Sequence, residues 1–202
     1  MRVRPDPRST IRAMDAAFDR LETPRLILRR FVPTDAPALA HYRSLPEVAR
    51  YQSWDTPFAL ERAEAFIAWL GLHHPDTPGE WHQLAIAERG RPDVLIGDCG
   101  FHPHGDEPRV ADVGFTLDPA LQGRGYATEA VGAVVRYLFA VRDKHRVVAD
   151  CDTRNDASWR LLERLGFRRE GELRESYHDG REWAGEYLYG LLAADWRAAR
   201  EP

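Results

Sequence analysis

The amino-acid sequence predicts an α/β (α+β) fold, with a mixed, mostly antiparallel central sheet flanked by helices and one parallel strand pair at its centre. Short runs of alternating hydrophobic residues, separated by turns that carry glycine and proline, predict the antiparallel strands. Between Val113 and Cys151 the order is strand, loop, long helix and strand, and a crossover of that length joins parallel strands. A length of 202 residues suits a single domain with its own core.

The composition is that of an ordinary globular protein, with 44% hydrophobic and 30% charged residues. The formal net charge of −4 argues against a surface for nucleic acid or for an anionic membrane. Hydrophobic runs are too short to span a bilayer, and the N-terminus lacks the apolar region of a signal peptide. Cys99 and Cys151 lie in apolar, strand-like runs, so we interpret them as reduced core residues. These features predict a cytoplasmic protein.

The first 20 residues are charged and weakly patterned, and we interpret residues 1–20 as an N-terminal extension. Whether residues 14–18 form a short helix is left open by the pattern. Residues 21–198 are predicted to form a single domain, because they contain neither an internal repeat nor a linker. The predicted elements of its first half are a strand at 23–31, a helix capped by Thr34, a loop at 47–55, a helix opened by Thr56-Pro57 and ended by Gly71, a loop at 73–80, and strands at 81–88 and 94–101 joined by a hairpin turn at 89–93.

The second half of the chain contains the parallel pair and a closing hairpin. Its predicted elements are a central strand that includes Val113, Phe115 and Leu117, a long helix from Ala127, a strand at 146–151, a short helix at 155–165, and hairpin strands at 167–175 and 185–192, followed by a short tail with Trp196.

The chain is organised around the segment that joins the central strand to the long helix. Asp118-Pro119 ends the strand, because proline cannot donate a hydrogen bond to a sheet. The loop Gln122-Gly-Arg-Gly-Tyr-Ala127 follows, and then hydrophobic residues recur at helical spacing. Glycines let successive backbone N–H groups converge on an anion, and a helix N-terminus adds unpaired amides and a positive dipole. With Arg124 as a further positive charge, the pattern favours a polyphosphate ligand over a plain strand–helix turn.

This segment resembles the acyl-CoA site of the GCN5-related N-acetyltransferases. Their pyrophosphate loop, Gln/Arg-x-x-Gly-x-Gly/Ala, is matched by Gln122, Gly125 and Ala127. The runs at 113–119 and 125–130 are more narrowly similar to the RimJ/RimL-like branch that acetylates the N-termini of ribosomal proteins. The resemblance extends from about Leu21 to Trp196 and implies the family's fold, with the parallel pair at the cofactor site.

The resemblance also implies which residues contact acetyl-CoA as co-substrate. The central strand would bind the pantetheine arm through its backbone, and the loop would bind the diphosphate. Asn155 and Ser158 would lie against the cofactor, with Ser158 donating a hydrogen bond to the departing thiolate. From the sequence alone, Asn155 is equally a helix N-cap and Ser158 an exposed first-turn serine. The implied cofactor residues are Phe115, Thr116, Leu117, Gln122, Gly123, Arg124, Gly125, Tyr126, Ala127, Thr128, Asn155 and Ser158.

Other polar residues are candidates for the acceptor side. We interpret Asp112 as a catalytic residue that accepts the proton of the amine through water, and Glu129 as a first-turn residue that favours the helix dipole. His102 and His104 have a chelating spacing, as has the pair at 73–74, but neither pair shows a third ligand at a metal-site spacing, so no metal is predicted. Possible acceptor-site aromatic residues, which could equally be core residues, are Tyr51, Trp54 and Trp81.

The sequence therefore predicts an acetyl-CoA-dependent N-acetyltransferase acting on a primary amine by direct attack, most simply a protein or peptide α-amine. The alternatives are a small-molecule amine, such as a polyamine or an aminoglycoside, and an acyl-CoA-binding module without catalysis. A Rossmann site is excluded because the third glycine is missing from Gly123-x-Gly125-x-x-Thr128, and a P-loop because no Gly-Lys-Ser/Thr occurs. The expected partners are acetyl-CoA and the amine acceptor, with no nucleic acid or membrane, and a homodimer is left open.

Overall fold

A computed structural model describes residues 20–73 and 77–200. The predicted N-terminal extension, the short helix at 14–18 and His74 lie outside these residues, so the domain boundary stays a prediction. The elements in chain order are β1 (Arg20–Glu22), β2 (Leu26–Arg29), α1 (Ala36–Ser44), α2 (Pro46–Ala49), α3 (Leu60–Leu72), β3 (His82–Glu88), β4 (Arg91–Pro103), β5 (Val110–Leu117), α4 (Tyr126–Ala140), β6 (Arg146–Asp152), α5 (Asp156–Arg164), β7 (Arg168–His178), β8 (Trp183–Leu192) and α6 (Ala193–Ala198).

The described strands form one eight-stranded sheet in the order β1-β2-β3-β4-β5-β6-β8-β7. Neighbouring strands are antiparallel except for β5 and β6, which are parallel. The predicted fold class is therefore confirmed. None of the helices within residues 20–73 and 77–200 has the length and hydrophobicity that crossing a bilayer requires.

Helix α4 makes the crossover between the two parallel strands. Its N-cap residue, Gly125, has a φ of 77°, a left-handed conformation that glycine adopts without the steric cost of a Cβ atom. From there a hydrophobic stripe recurs at helical spacing and is buried, which holds α4 against the sheet. The buried residues of the stripe are Ala130, Val131, Ala133, Val134, Val135, Tyr137, Leu138 and Phe139.

The sheet carries a hydrophobic cluster on each face. Helices α4 and α5 contribute to one cluster, in which Leu138 and Leu162 join Leu84 and Ile86 of β3. Helices α1 and α3 cover the opposite face, where their side chains join Ala85 of the same strand. Successive side chains of a strand point to opposite faces, so β3 is buried on both sides. The result is three layers, with helices on both faces of the sheet.

The first predicted strand, 23–31, is present but shorter, as β2, and the prediction missed β1, which precedes it. The two strands pair antiparallel because the Thr23 N–H donates to the Leu26 carbonyl oxygen at 3.0 Å and closes a turn between them. Pro24 lies at the second position of this turn, where its fixed φ is favoured. The Thr23 hydroxyl oxygen also accepts from the Leu26 N–H at 2.8 Å, which reinforces the turn.

Two predicted helix starts and one helix end are also wrong. A 3₁₀ turn at Pro33–Asp35 precedes α1, and Asp35 rather than Thr34 holds it, accepting from the Val32 N–H at 2.9 Å. Helix α3 begins at Leu60, not at Pro57, because the preceding Phe58 N–H donates to the Ser44 hydroxyl at 2.9 Å and ties this segment to α1. The helix then runs past Gly71 to Leu72.

The remaining differences are small. The predicted loop at 47–55 begins within the short helix α2, and the tail contains α6, whose Trp196 ring lies 5.5 Å from the Phe139 ring. Strands β4, β7 and β8 extend further than predicted, since their hydrogen-bonded ladders continue almost into the turns. Both cysteines are free thiols; Cys99 is buried as expected, whereas Cys151 is only partly buried.

A partly exposed ion pair, between Arg25 and Glu129, fixes the turn between β1 and β2 to the first turn of α4. The Glu129 carboxylate accepts from the Thr23 hydroxyl at 2.6 Å, from the Arg25 N–H at 2.9 Å and from the Arg25 Nε at 2.6 Å. Burial opposes ionisation of Glu129, but these hydrogen bonds outweigh it and hold its pKa below the usual value. The position at the helix N-terminus expected for Glu129 is confirmed, and it binds a distant strand as well.

We expect Glu129→Gln to lower the free energy of unfolding at pH 7 by about 1–2 kcal/mol, because charge-assisted hydrogen bonds become neutral ones. A group with a lowered folded-state pKa stabilises the fold above its unfolded pKa, so the difference from wild type should be full above pH 4.5 and vanish as pH falls through the lower folded value. Urea titrations at a series of pH values measure this difference in the free energy of unfolding. The exposed Glu64→Gln is the control, and a difference that persists in acid would contradict the assignment.

Candidate active site

The site is built on the separation of the two parallel strands. Strand β5 pairs with β6 only through Val110–Asp112, opposite Arg146–Val148. Beyond this point β5 runs on to Leu117 along β4, and β6 runs on to Asp152 along β8. Backbone groups of β5 that point towards β6 there have no strand partner on that side. The sheet therefore opens at its centre.

A cleft of about 1500 Å³ occupies this opening. Its walls are residues 113–115 of β5 and 149–152 of β6, the segment from α2 through residue 56, the start of α5, and the turn between β7 and β8. The cleft thus joins both strands of the parallel pair to the segments that precede α3 and follow β7. Tyr51, Trp54 and Trp81, the predicted acceptor-site aromatic residues, all line it.

Three of the predicted cofactor residues meet in the cleft: Phe115, Asn155 and Ser158. The Asn155 side-chain oxygen accepts from the Ser158 N–H at 3.2 Å, so Asn155 is the N-cap of α5. This cap fixes the first turn of α5 and directs Ser158 into the cleft. Thr116 and Leu117 do not line the cleft with their side chains, which are buried in the sheet.

The predicted phosphate loop lies beside the cleft rather than in its wall. Gly123 and Gly125 have φ values of 74° and 77°, the left-handed region that the loop conformation demands of glycine. A Cβ atom at Gly123 would meet nothing within 4 Å, and one at Gly125 would meet only the Arg25 Nη2 atom, at 3.4 Å. The loop is therefore open to solvent directly before the N-terminus of α4, a position where backbone N–H groups can donate hydrogen bonds to an anion.

Side chains of the loop form hydrogen bonds with neighbouring segments, including β5 and β3. The Gln122 side chain donates to the Leu117 carbonyl oxygen at 3.1 Å, and the Arg124 guanidinium reaches the Ala120 carbonyl oxygen at 3.4 Å. Tyr126 donates its hydroxyl hydrogen to Glu88 of β3 at 2.5 Å. These contacts account for the loop side chains and involve none of the backbone amides of residues 123–126.

Arg25 is a site residue that the sequence reasoning missed. Its Nη1 donates to the Arg124 carbonyl oxygen at 2.8 Å, and its guanidinium lies 4.7 Å from the centre of the Tyr126 ring. Because Glu129 also holds Arg25, the arginine adds a fixed positive charge to the loop. The sequence contains no local signal for this contact, since Arg25 and Arg124 are 99 residues apart.

Asp112 does not line the cleft but binds two histidines beside it. Its Oδ2 atom accepts from His102 Nδ1 at 2.8 Å and from His104 Nε2 at 3.0 Å. The His102 ring stacks on Trp81, with ring centres 5.4 Å apart. No Cys or Glu joins these histidines, as expected, but strand pairing places Asp112 opposite His102 and brings three potential metal-ligating atoms within 4.8 Å of one another.

Asp150 is a second residue that the sequence reasoning missed. It lies on β6 beyond the last residue paired with β5 and lines the cleft. Loss of hydration, followed by the negative charges of Glu186 and Asp112, raises the pKa of Asp150. A sequence signal existed, since Val147 and Ala149 alternate with Asp150 as buried residues, but the sequence-based prediction covered only the β5 side of the opening.

Cys151, the neighbour of Asp150, is unsuited to act as a nucleophile. Burial, followed by the charge of Asp150, raises the pKa of its thiol to about 12, so the thiolate is scarce at neutral pH. A covalent acyl-enzyme on Cys151 would require that thiolate. The cleft therefore favours direct transfer to an acceptor over transfer through the cysteine.

Arg154 joins two walls of the cleft. Its guanidinium binds Asp152 at the end of β6 at 2.5 Å, Asp179 in the β7–β8 turn at 3.0 Å, and Glu182 in the same turn. Backbone N–H groups of Glu182 and Arg181, followed by Arg154, lower the pKa of Asp179 to about 2. This arginine therefore fixes the hairpin turn over the cleft.

These features together define a class. A mostly antiparallel sheet that opens between two parallel strands, beside a glycine-bearing loop and the N-terminus of the crossover helix, is the architecture of an N-acetyltransferase. A family model described as "Acetyltransferase (GNAT) domain" matches residues 25–168, and the chain belongs to this family of acyltransferases.

Individual relatives agree with this family. The uncharacterized N-acetyltransferase YnaD of Bacillus subtilis is 31% identical over 176 residues, which cover 87% of this chain and 98% of YnaD. The [ribosomal protein uS5]-alanine N-acetyltransferase of Escherichia coli is 32% identical over 199 residues, which cover 90% and 94% of the two chains. A GNAT-family acetyltransferase structure from Bacillus anthracis superimposes with a TM-score of 0.74 at 27% identity, covering 87% of this chain and 99% of that one.

Proposed function

We propose that this N-acetyltransferase moves the acetyl group of acetyl-CoA to the α-amine of a protein or peptide N-terminus, by direct attack while both substrates are bound. The observation that carries the proposal is the cleft that continues from the opening between β5 and β6 to a mouth lined with carboxylates. One end of such a cleft suits a thioester held by strand backbone, and the other suits an incoming amine. The relative from Escherichia coli that is named for uS5 alanine supports a protein N-terminus as acceptor.

The residues proposed to bind acetyl-CoA are those whose backbone or side-chain groups remain available for contact. Backbone groups of Phe115, Thr116 and Leu117 would bind the pantetheine arm, since β5 lacks a strand partner on this side. Amides of residues 123–128 would bind the diphosphate, with Arg25 and Arg124 as nearby charges. Asn155 would position Ser158 through the cap, and Ser158 would donate a hydrogen bond to the departing thiolate.

An α-amine suits this site because attack requires the neutral amine. With a pKa near 7.8, roughly a third of an α-amine is neutral at about pH 7.5, whereas a lysine near 10.4 is neutral only about 0.1% of the time. The difference corresponds to about 3 kcal/mol, so an α-amine needs only a modest proton acceptor. From the sequence, Asp112 was expected to accept this proton through water, and the proposed reaction needs no metal.

A small-molecule polyamine is the second candidate, and the charge of the cleft favours it. Carboxylates along the lining include Glu47 and Asp55 on one side and Asp150, Asp179 and Glu186 on the other. A polycation would be attracted to this wall. The same charges also suit a positively charged N-terminal segment of a protein, so the acceptor has to be decided by competition.

The deciding experiment offers several amines to the purified enzyme at equal concentration with acetyl-CoA. They are a peptide with a free N-terminal alanine, the same peptide with a blocked N-terminus and an internal lysine, spermidine and an aminoglycoside. Released thiol gives the rate, and mass spectrometry locates the acetyl group. We expect acetylation of the free α-amine. Preference for spermidine, the aminoglycoside or the blocked peptide would overturn the acceptor assignment and leave the enzyme class unchanged.

We expect Gly125→Glu to abolish acetyl-CoA binding, because it places a carboxylate where the diphosphate is proposed to lie. Each lost charge-assisted hydrogen bond costs roughly 1.5–3 kcal/mol, so affinity should fall below detection by calorimetry. Gly125→Ala, which imposes the same backbone strain at a φ of 77° without the charge, is the matched control and should lose far less affinity. Unchanged affinity in a folded Gly125→Glu protein would contradict the placement of the diphosphate.

Ser158→Ala should lower kcat by about 10²-fold, because the departing thiolate loses its hydrogen-bond donor. Acetyl-CoA affinity should change little, since the Asn155 cap involves the Ser158 backbone rather than its hydroxyl. Thiol release measures kcat, and calorimetry measures affinity. Wild-type turnover in this variant would show that Ser158 is only a first-turn residue of α5.

A further inference from the structure

We propose that Asp150 is the catalytic base that takes the proton from the attacking amine nitrogen, in the place that the sequence predicted for Asp112. The proposal rests on the proposed amine acetylation and adds a residue to it. Asp150 is carried by β6, the strand that forms the acceptor-facing edge of the opening in the sheet.

The position of Asp150 follows from strand register. Asp112 pairs with Val148, so Gly114 is the β5 residue that lies across the opening from Asp150. Val147 and Ala149 are buried in the cluster beneath α4, and strand alternation directs Asp150 to the other face. The carboxylate therefore faces the part of the cleft that leads away from the helices α4 and α5.

Gly114 keeps the space opposite Asp150 open. A Cβ atom there would lie 3.4 Å from the Trp81 ring, which covers this part of β5. The space is thus bounded by the Trp81 ring, the Gly114 backbone and Asp150, all of which line the cleft. A primary amine enters such a space without displacing a side chain, and it meets a carboxylate at the unpaired stretch of β5.

The acidic residues nearest to Asp150 along β5, β6 and β8 already have partners. Asp112 is bound by two histidines, Asp152 by Arg154 and the Tyr177 hydroxyl, and Glu186 by the Ser176 hydroxyl at 2.7 Å. Arg154 also holds the two acidic residues of the β7–β8 turn. Within residues 20–73 and 77–200, by contrast, Asp150 forms no ion pair with an arginine or a lysine.

The surroundings of Asp150 favour proton uptake. Asp150 remains accessible to solvent, but partial loss of hydration and the nearby carboxylates of Glu186 and Asp112 raise its pKa, which makes it a stronger base than an isolated aspartate. Asp152 shows the opposite case on the same strand: burial opposes its ionisation, but Arg154 and Tyr177 outweigh it and lower its pKa. Two aspartates of β6 are thus directed to different roles, a base and an anchor for Arg154.

The step balances as follows. The neutral amine nitrogen forms a bond to the thioester carbon, and the carbonyl oxygen becomes an oxyanion. The nitrogen, now positively charged, gives one proton to an Asp150 oxygen. The oxyanion then reforms the carbonyl and the C–S bond breaks, so that the thiolate leaves while it accepts a hydrogen bond from the Ser158 hydroxyl, and it then takes a proton from water. Asp150 returns its proton to water at the mouth of the cleft.

The test compares Asp150→Asn, Asp150→Ala and Asp150→Glu with the surface variant Glu64→Gln, which removes the same charge from α3. The probes are acetyl-CoA and a peptide with a free N-terminal alanine. We expect Asp150→Asn to lower kcat by about 10²- to 10³-fold while acetyl-CoA affinity by calorimetry stays unchanged. Asp150→Glu should recover part of the rate, and added formate should raise the rate of Asp150→Ala, which a purely structural role would not allow.

Wild-type kcat in Asp150→Asn would overturn the proposal, as would an Asp112→Asn variant whose loss is the larger of the two. A loss of acetyl-CoA affinity that accounts for the whole effect, with no response to formate, would also overturn it by making Asp150 structural. If the wild-type enzyme acetylates none of the amines in the competition, the proposed function fails first and this proposal with it. If an amine is acetylated and Asp150→Asn matches wild type, only the base assignment fails.

Discussion

The separation of β5 from β6 is the constraint on which the rest of the structure depends. Strand β5 stays paired with β4, and β6 stays paired with β8, so the sheet remains continuous on both sides of the opening. At their N-terminal ends the two strands are joined by three residue pairs. On one face of the sheet, the hydrophobic stripe of α4 packs against them. Every element of the site is placed by this arrangement, since α4 and α5 both begin at the end of a separating strand.

Charge is distributed unevenly around that opening. Fixed arginine contacts lie on the loop side, where Arg25 is held by Glu129. Carboxylates line the opposite end, and Arg154 organises several of them into the wall formed by the β7–β8 turn. A polyanionic donor would therefore be drawn to the loop beside the cleft, and a cationic amine to the acidic mouth of the cleft itself.

Local chemistry made much of this predictable from the sequence. The glycines of the loop, the hydrophobic stripe of α4 and the Asn155 cap are each set by neighbours within a few residues, and the structure confirms all three. Arg25, Asp150 and the Asp112–histidine cluster were missed or misjudged because their environments come from strand register and from contacts between distant segments. The predicted helix start at Pro57 was wrong for a similar reason, since the Phe58 amide donates to Ser44 of another helix.

The low reactivity expected of the two cysteine thiols is useful for measuring the activity of the enzyme. Cys99 is completely buried, and burial raises the pKa of its thiol, while the Cys151 thiol has a pKa of about 12. Disulfide reagents and alkylating agents react with thiolates, so both side chains react slowly at neutral pH. A colorimetric thiol reagent added during turnover then reports the sulfur of the released coenzyme with little background from the polypeptide. The enzyme can be followed continuously without replacing either cysteine.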